Sequence, residues 1–328
     1  MSARTEYAIT FTRPDQAELL AVEPPAEPLG PNEIAGRTLV TLISVGSELR
    51  GGYRRGPFPR VPGYAAVCEA EDIGAEVSGI TAGDHLFVMG PHRSFQRCSV
   101  NDALRVPDGL PPETAVFARM MAISMSTLAT TAVRPPEKVL VTGLGLVGHL
   151  AARIFSLCGY EVTACEPSAL RRDIAARNGV ERALPALPLD DPAYIGKVGL
   201  VVECSGHEQA TLDACRLVRR AGEVVLVGVP WERRTEIYAH DLLFTVFDKY
   251  VVLRSGWEWQ IPLHDTEFRG NSIFGDLAAA LQWLAQGCIT VAGLYDLAPP
   301  REAQRAYQDF RHERAKTLTT VFDWSDCP

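Results

Sequence analysis

Apolar and polar positions follow two different patterns along the chain. Over residues 1–123 they read as short strands at 38–44, 65–70, 85–89 and 95–100. Turn residues separate the strands: Pro24-Pro25, Gly51-Gly52, Gly83-Asp84. No helical period appears until Pro111-Pro112-Glu113-Thr114, a helix start with proline in the first turn. From residue 124 strands and helices alternate. Strands are predicted at 139–142, 161–165, 199–206, 222–228 and 250–254, and helices at 168–178 (stopped by Gly179) and 211–220. Near-continuous apolar strands spaced by helices predict a doubly wound parallel sheet. A helix at 276–285, a strand at 294–297, a helix at 300–310 and a closing strand at 317–322 complete the chain.

The first strand of the alternating half runs into Gly143-x-Gly145-x-x-Gly148, and apolar residues then recur at helical spacing (Leu150, Ile154, Leu157). A second strand ends at Glu166, about 20 residues past the glycines. Strand, glycine turn, helix, strand and acid in that order predict a Rossmann dinucleotide-binding domain. Gly143 permits the tight turn, Gly145 lets a pyrophosphate approach the backbone, and Gly148 lets helix and strand pack closely. The helix start at Leu146 and Val147 offers free N–H groups to phosphate. Glu166 accepts hydrogen bonds from a ribose 2′-OH and repels a 2′-phosphate, so NAD is expected over NADP. Arg171, about a turn further on, either holds the adenine face or softens that preference by binding a 2′-phosphate. Thr127, Cys204, Ser205, Gly206, Val227, Gly228 and Val229 fall at strand ends or the domain junction and complete the expected cofactor set.

Composition narrows the function classes. The net charge is −8, and the densest basic stretch, residues 50–60, holds only Arg50, Arg54, Arg55 and Arg60, so no nucleic-acid or anionic-membrane partner is expected. No apolar run approaches the roughly 20 residues of a membrane span, and the N-terminus lacks the apolar stretch of a signal peptide. The eight cysteines are scattered, with no CxxC, and read as small apolar residues of a reducing compartment. A cytoplasmic enzyme acting on a small-molecule substrate is expected.

A strand-rich front, a dinucleotide-binding middle and a short α/β tail resemble the medium-chain dehydrogenase/reductase superfamily. The resemblance covers nearly the whole chain. It rests on Val61-Pro62-Gly63-Tyr64 with Val67-Cys68-Glu69-Ala70, on Gly79 to Leu86, on Met120 to Thr127, and on the tail from Ala306-Tyr307 through Lys316-Thr317 to Val321-Phe322. It implies a GroES-like catalytic domain (residues 1–123 and about 263–328), a Rossmann domain inserted at 124–262, and an active site in the cleft. Within the superfamily, Gly46-Ser47-Glu48 and Pro62-Gly63-Tyr64 most resemble the branch called bacteriochlorophyllide-dehydrogenase-like, which is itself similar to sugar and cyclitol dehydrogenases.

The departures from the family pattern carry chemistry. Where its zinc members place ligands, this chain has Val45, Tyr64, Ala65 and Ile123, and it lacks the four-Cys lobe of a structural zinc. Hydrocarbon side chains ligate nothing, so no metal is expected. Side chains must then move the proton and stabilise the alkoxide that zinc usually handles. By the resemblance, Ser47 matches the hydroxyl residue that touches the substrate oxygen, Tyr64 fills the vacated ligand space, and His92 falls on the loop lining the substrate pocket. Each has a plain alternative as turn residue, aromatic filler or surface histidine. Glu48 matches a family carboxylate beneath the metal site. Trp257 and Trp259 form either a stacking wall for a ring-shaped substrate or domain-junction packing. The expected activity is zinc-independent, NAD-dependent hydride transfer to or from a secondary alcohol or ketone of a polar ring. Two alternatives stay open: NAD(P)H-dependent reduction of an activated C=C bond, as in quinone and enoyl reductases, and a non-catalytic dinucleotide-binding protein. A homodimer is expected, because residues 250–254 form a sheet edge that needs cover.

Overall fold

A computed structural model describes residues 5–327. Contacts divide the chain into two units, one running to Arg119 and resuming at Ala278, the other spanning Met120–Leu277. The first begins with a hairpin, β1 (Glu6–Arg13) and β2 (Gln16–Val22), then β3 (Glu33–Leu42) and the single turn α1 (Val45–Ser47), followed by a wide helical turn, Glu48–Tyr53. Strands β4 (Ala66–Ile73), β5 (His85–Val88), β6 (Phe95–Ser99) and β7 (Ala103–Arg105) follow, then α2 (Pro112–Ala115). Helix α3 (Ala118–Thr130) leads into the second unit. That unit holds β8 (Lys138–Thr142), α4 (Leu146–Leu157), β9 (Glu161–Cys165), α5 (Ala169–Arg177), β10 (Ala183–Leu184), β11 (Val198–Glu203), α6 (Glu208–Leu217), β12 (Val218–Leu226), α7 (Ala239–Lys249) and β13 (Val252–Ser255). Helix α8 (Ile273–Ala285) returns the chain to the first unit, which closes with β14 (Tyr295–Ala298), α9 (Ala303–Arg311) and β15 (Thr319–Asp323). Both unit boundaries fall inside helices, α3 and α8, where no turn residue marks them. The positions expected from the sequence, 123/124 and 262/263, rest on changes of pattern.

The β-rich unit is a sheet ordered β14-β15-β3-β4-β5-β7, with β6 also on β3; apart from β14 on β15, its pairings are antiparallel. The tail strand β15 lies directly on β3, so residues more than 250 positions apart share one ladder, Val321 opposite Leu42. Its core is aromatic: Phe11, Tyr53 and Tyr307 meet with ring centroids 5.0–5.2 Å apart, and all three are fully buried.

The second unit is a six-stranded parallel sheet ordered β10-β9-β8-β11-β12-β13. Alternate strand residues build two cores: Val139, Val141, Leu200, Val202 and Val225 pack with α4 and α5, while Leu140, Val201 and Val224 pack with α6. Both faces are covered, which is why these strands read as continuous apolar runs. Strand order reverses between β8 and β11, the switch point where such sheets bind ligands.

The elements differ from the sequence expectations in several details; the strand expected at 250–254, for one, is Val252–Ser255, with Tyr250 capping α7 at φ 56. The β1–β2 hairpin was not expected, because it turns at Pro14-Asp15 with Asp15 at φ 61 and no glycine. Helix α6 ends at Leu217 rather than 220, since Val218 already pairs with Val198 as the start of β12. Helix α7 was not expected either; Leu242 and Val246 pack against the core, while Leu243, Phe244 and Phe247 are exposed, so apolar residues spread beyond its core-facing side.

Candidate active site

The dinucleotide unit builds a cradle at its switch point. After β8 the chain turns at Gly143, whose φ is +81°, and Gly145 begins α4 with no capping side chain. The first N–H groups of α4, at Leu146 and Val147, therefore have no side-chain cap. A Cβ on Gly145 meets nothing within 4 Å, whereas one on Gly148 would lie 1.8 Å from the Gly143 carbonyl oxygen. Gly145 thus leaves space for a phosphate, and Gly148 makes the helix–strand contact.

On the other side of the switch, Cys204 N–H donates to Thr142 O (2.8 Å), bringing Ser205 and Gly206 beside the glycine turn. Gly228 N–H donates to Glu203 O (2.7 Å), which brings Val227, Gly228 and Val229 to the same edge. Glu203, not singled out in the sequence, ties this edge together. Its buried carboxylate accepts Thr142 Oγ1 (3.1 Å), Ser205 N–H (2.8 Å), Gly206 N–H (3.0 Å) and the Ser205 hydroxyl. Burial pushes its pKa up, partly offset by these donors. A lone acid ending an apolar strand, Leu-Val-Val-Glu, was the signal for it.

Thr127 is buried, and its hydroxyl has no hydrogen-bond partner among the described residues. Glu166 is also buried: it accepts Leu144 N–H (2.8 Å) and Ser168 N–H (2.9 Å), with Arg171 3.6 Å away and exposed. It therefore ties the glycine turn down from within. The open glycine, the free helix start and the orphaned Thr127 hydroxyl fit a nicotinamide dinucleotide.

The proton-handling candidates lie in the β-rich unit. Ser44 begins α1, where a serine usually caps the helix with its own oxygen. Here it does not; its hydroxyl instead bonds the Tyr64 phenol, which also bonds the Ser47 side chain. Arg119 lies over the Tyr64 ring, 4.8 Å from its centroid, and is itself 4% exposed. Burial pushes the Tyr64 phenol up; the two serines and the Arg119 charge oppose that, and the Glu48 charge adds to it. Ser44 and Arg119 were not singled out in the sequence. An arginine inside the apolar run Val-Phe-Ala-Arg-Met-Met was the available signal.

His92 and Glu48 form the layer beneath. His92 is fully buried, with Nδ1 2.7 Å from Thr41 Oγ1 and Nε2 3.0 Å from Glu48 Oε2. Glu48 also accepts Ser44 N–H (2.7 Å) and the Tyr307 hydroxyl. His92 N–H donates to Pro62 O (2.8 Å), and the Gly63 turn, at φ +99°, packs on its ring. The pair thus holds both chain segments that present the hydroxyls: Ser44 through Glu48, and Tyr64 through the Pro62-Gly63 turn. Trp257 and Trp259, in the other unit, are 70% and 52% exposed, with buried Glu258 between them.

A zinc ion does not fit the donor set. Val45, Ala65 and Ile123 carry no donor atom, and the Tyr64 oxygen is engaged by two serines. Among the described residues no group of three or more His, Cys, Asp and Glu side chains is arranged to hold a metal, and no helix is long and apolar enough to cross a membrane.

Residues 147–259 match the family described as zinc-binding dehydrogenase. The chain is 26% identical to L-galactonate-5-dehydrogenase of Escherichia coli over 208 residues, 52% of this chain and 61% of that enzyme. It is 25% identical to L-threonine 3-dehydrogenase of Pyrococcus horikoshii over 296 residues, 76% of this chain and 84% of that one. Among solved structures, galactitol-1-phosphate dehydrogenase from E. coli superposes with a TM-score of 0.81 at 13% identity, covering 97% of this chain and 99% of that one. A zinc-binding dehydrogenase from Sinorhizobium meliloti bound to NADP and acetophenone reductase from Geotrichum candidum in complex with NAD each superpose at 0.77 and 17% identity; both cover 98% of this chain, and 99% and 98% of their own. The matched segment lies in the dinucleotide unit, and the chain as a whole has the fold of these dehydrogenases, a GroES-like unit with a Rossmann unit.

Proposed function

We propose that this chain is a zinc-independent, NAD-linked dehydrogenase acting on a secondary alcohol or ketone of a polar ring substrate such as a sugar or cyclitol. The observation that supports it most is the cluster of Ser44, Ser47 and Tyr64 hydroxyls at a family ligand position, where the other ligand residues are hydrocarbon. A bound nicotinamide supplies the hydride acceptor or donor. Alcohol oxidation also releases the hydroxyl proton as the C=O bond forms, and ketone reduction takes it back. Tyr64 and Ser47 carry that proton, while His92, Glu48 and Tyr307 hold them in place. Sugar-acid and sugar-phosphate dehydrogenases among the relatives favour the polar substrate. Glu166 favours NAD, although both of its oxygens already serve the backbone.

The chain is also proposed to form a homodimer in a reducing, cytoplasmic setting. β13 is the sheet edge, α7 beside it in sequence exposes Phe247 (83%) and Leu243 (67%), and all eight cysteines are unpaired.

Tyr64→Phe and Ser47→Ala test the assignment. At least one is expected to lower turnover by roughly 10²–10⁴-fold without changing NADH affinity. Normal turnover in both moves the proton path elsewhere and favours C=C reduction, to be read on a panel of enones. NADH binding without turnover on any alcohol, ketone or enone points to a binding protein. One zinc per chain by elemental analysis, or NADPH binding as tightly as NADH, overturns the zinc-independent and NAD readings respectively.

A further inference from the structure

We propose that Arg119 is a positioning residue that takes over the electrostatic part of zinc's role, holding a fixed positive charge against the ring of Tyr64. The inference rests on the reading of Tyr64 as the proton carrier.

A zinc ion does two things for an alcohol: it holds the oxygen and it favours the anion. The Ser44–Tyr64–Ser47 hydroxyls perform the first with hydrogen bonds alone. Nothing in a hydroxyl cluster performs the second, and burial works against it by disfavouring the phenolate. Arg119 is the cation at this place. Its guanidinium carbon lies 4.8 Å from the ring centroid, within cation–π range, at 4% exposure. A charge so screened from water acts on its neighbour far more strongly than one on the surface.

The groups acting on the phenol are the Ser44 and Ser47 hydroxyls, the Arg119 cation and the Glu48 carboxylate. Glu48 opposes Arg119, but its oxygens are taken up by Ser44 N–H, His92 Nε2 and the Tyr307 hydroxyl. Those donors disperse its charge away from the ring. Arg119 is also well suited to permanence, because a guanidinium stays protonated throughout the working range of pH.

The test separates the charge from the packing. The carbon-13 NMR signal of the Tyr64 phenol carbon, assigned by its loss in Tyr64→Phe, is followed against pH in the parent, Arg119→Met and Arg119→Lys proteins. Arg119→Met is expected to move the ionisation of Tyr64 to higher pH by about one to three units. The pH profile of alcohol oxidation should move with it. Arg119→Lys keeps a charge below the lysine's own ionisation, so its oxidation profile near neutral pH is expected to stay near the parent, which also guards against a merely misfolded Met variant. An unshifted Tyr64 titration in Arg119→Met overturns the inference, as does an oxidation profile in Arg119→Lys displaced as far as in Arg119→Met. If the titration moves but the oxidation profile does not, Arg119 tunes the phenol as proposed, and it is the reading of Tyr64 as proton carrier that fails.

Discussion

The two candidate regions are built in opposite ways. The dinucleotide cradle is local: residues 142–148 set it up, and β9 and β11 bring Glu166 and Glu203 to it by simple parallel pairing. The hydroxyl cluster is assembled from distant pieces: Thr41, Ser44 and Glu48, Tyr64, His92, Arg119 and Tyr307. The cradle depends on the absence of side chains, and the cluster on their mutual satisfaction. A backbone site therefore tolerates little added volume, while a side-chain network tolerates little loss of a partner.

That contrast is open to attack from both sides. The largest effect is expected in the network. Glu48→Ala leaves the His92 Nε2, the Tyr307 hydroxyl and the Ser44 N–H without their acceptor, at a cost of about 3–5 kcal/mol in chemical denaturation. A loss below about 0.5 kcal/mol, the level of an ordinary surface change, breaks the claim that this carboxylate holds the site together.

Gly148→Ala attacks the cradle with a single methyl group. Its Cβ would lie 1.8 Å from a backbone oxygen, so strand and helix must separate. A loss of roughly 3 kcal/mol is expected, with NADH binding lost as well.

A third effect of about 3 kcal/mol comes from His149, one residue past Gly148, buried without exposure. Burial, and then the charge of Arg153, press its pKa from 6.5 down to about 4. Above pH 6.5 the ring is neutral in both the folded and unfolded states, so it imposes no penalty. As pH falls from 6.5 towards 4 the unfolded chain takes up a proton that the folded unit refuses. Stability is therefore lost across that window, by about 3 kcal/mol in total, and the loss levels off below it. His149→Leu should flatten this part of the stability–pH curve; an unchanged slope would assign it to other groups.

The smallest effect is expected at Gly145. Gly145→Ala adds the same methyl group three residues from Gly148, but into open space and at an ordinary backbone angle. Thermal stability should be unchanged while NADH affinity falls about tenfold, or roughly 1.4 kcal/mol. Unchanged affinity would mean that the phosphates do not approach here.

The parallel sheet, the glycine turn and the acid after the second strand were legible in the residues alone. Each depends on residues within one supersecondary unit, where periodicity and backbone sterics act directly. The sequence also named Ser47, Tyr64, His92 and Glu48, but only through resemblance, and it did not show that the first two share a hydrogen-bonded cluster while the last two lie buried beneath it. Tertiary structure alone decided that Ser44 turns its hydroxyl away from its own helix, that Arg119 covers the Tyr64 ring, and that Tyr307 reaches Glu48 from the tail of the chain. The reason is physical. A hydrogen bond or a cation over a ring is set by where strands pair, and the β15–β3 ladder joins residues that no local pattern connects.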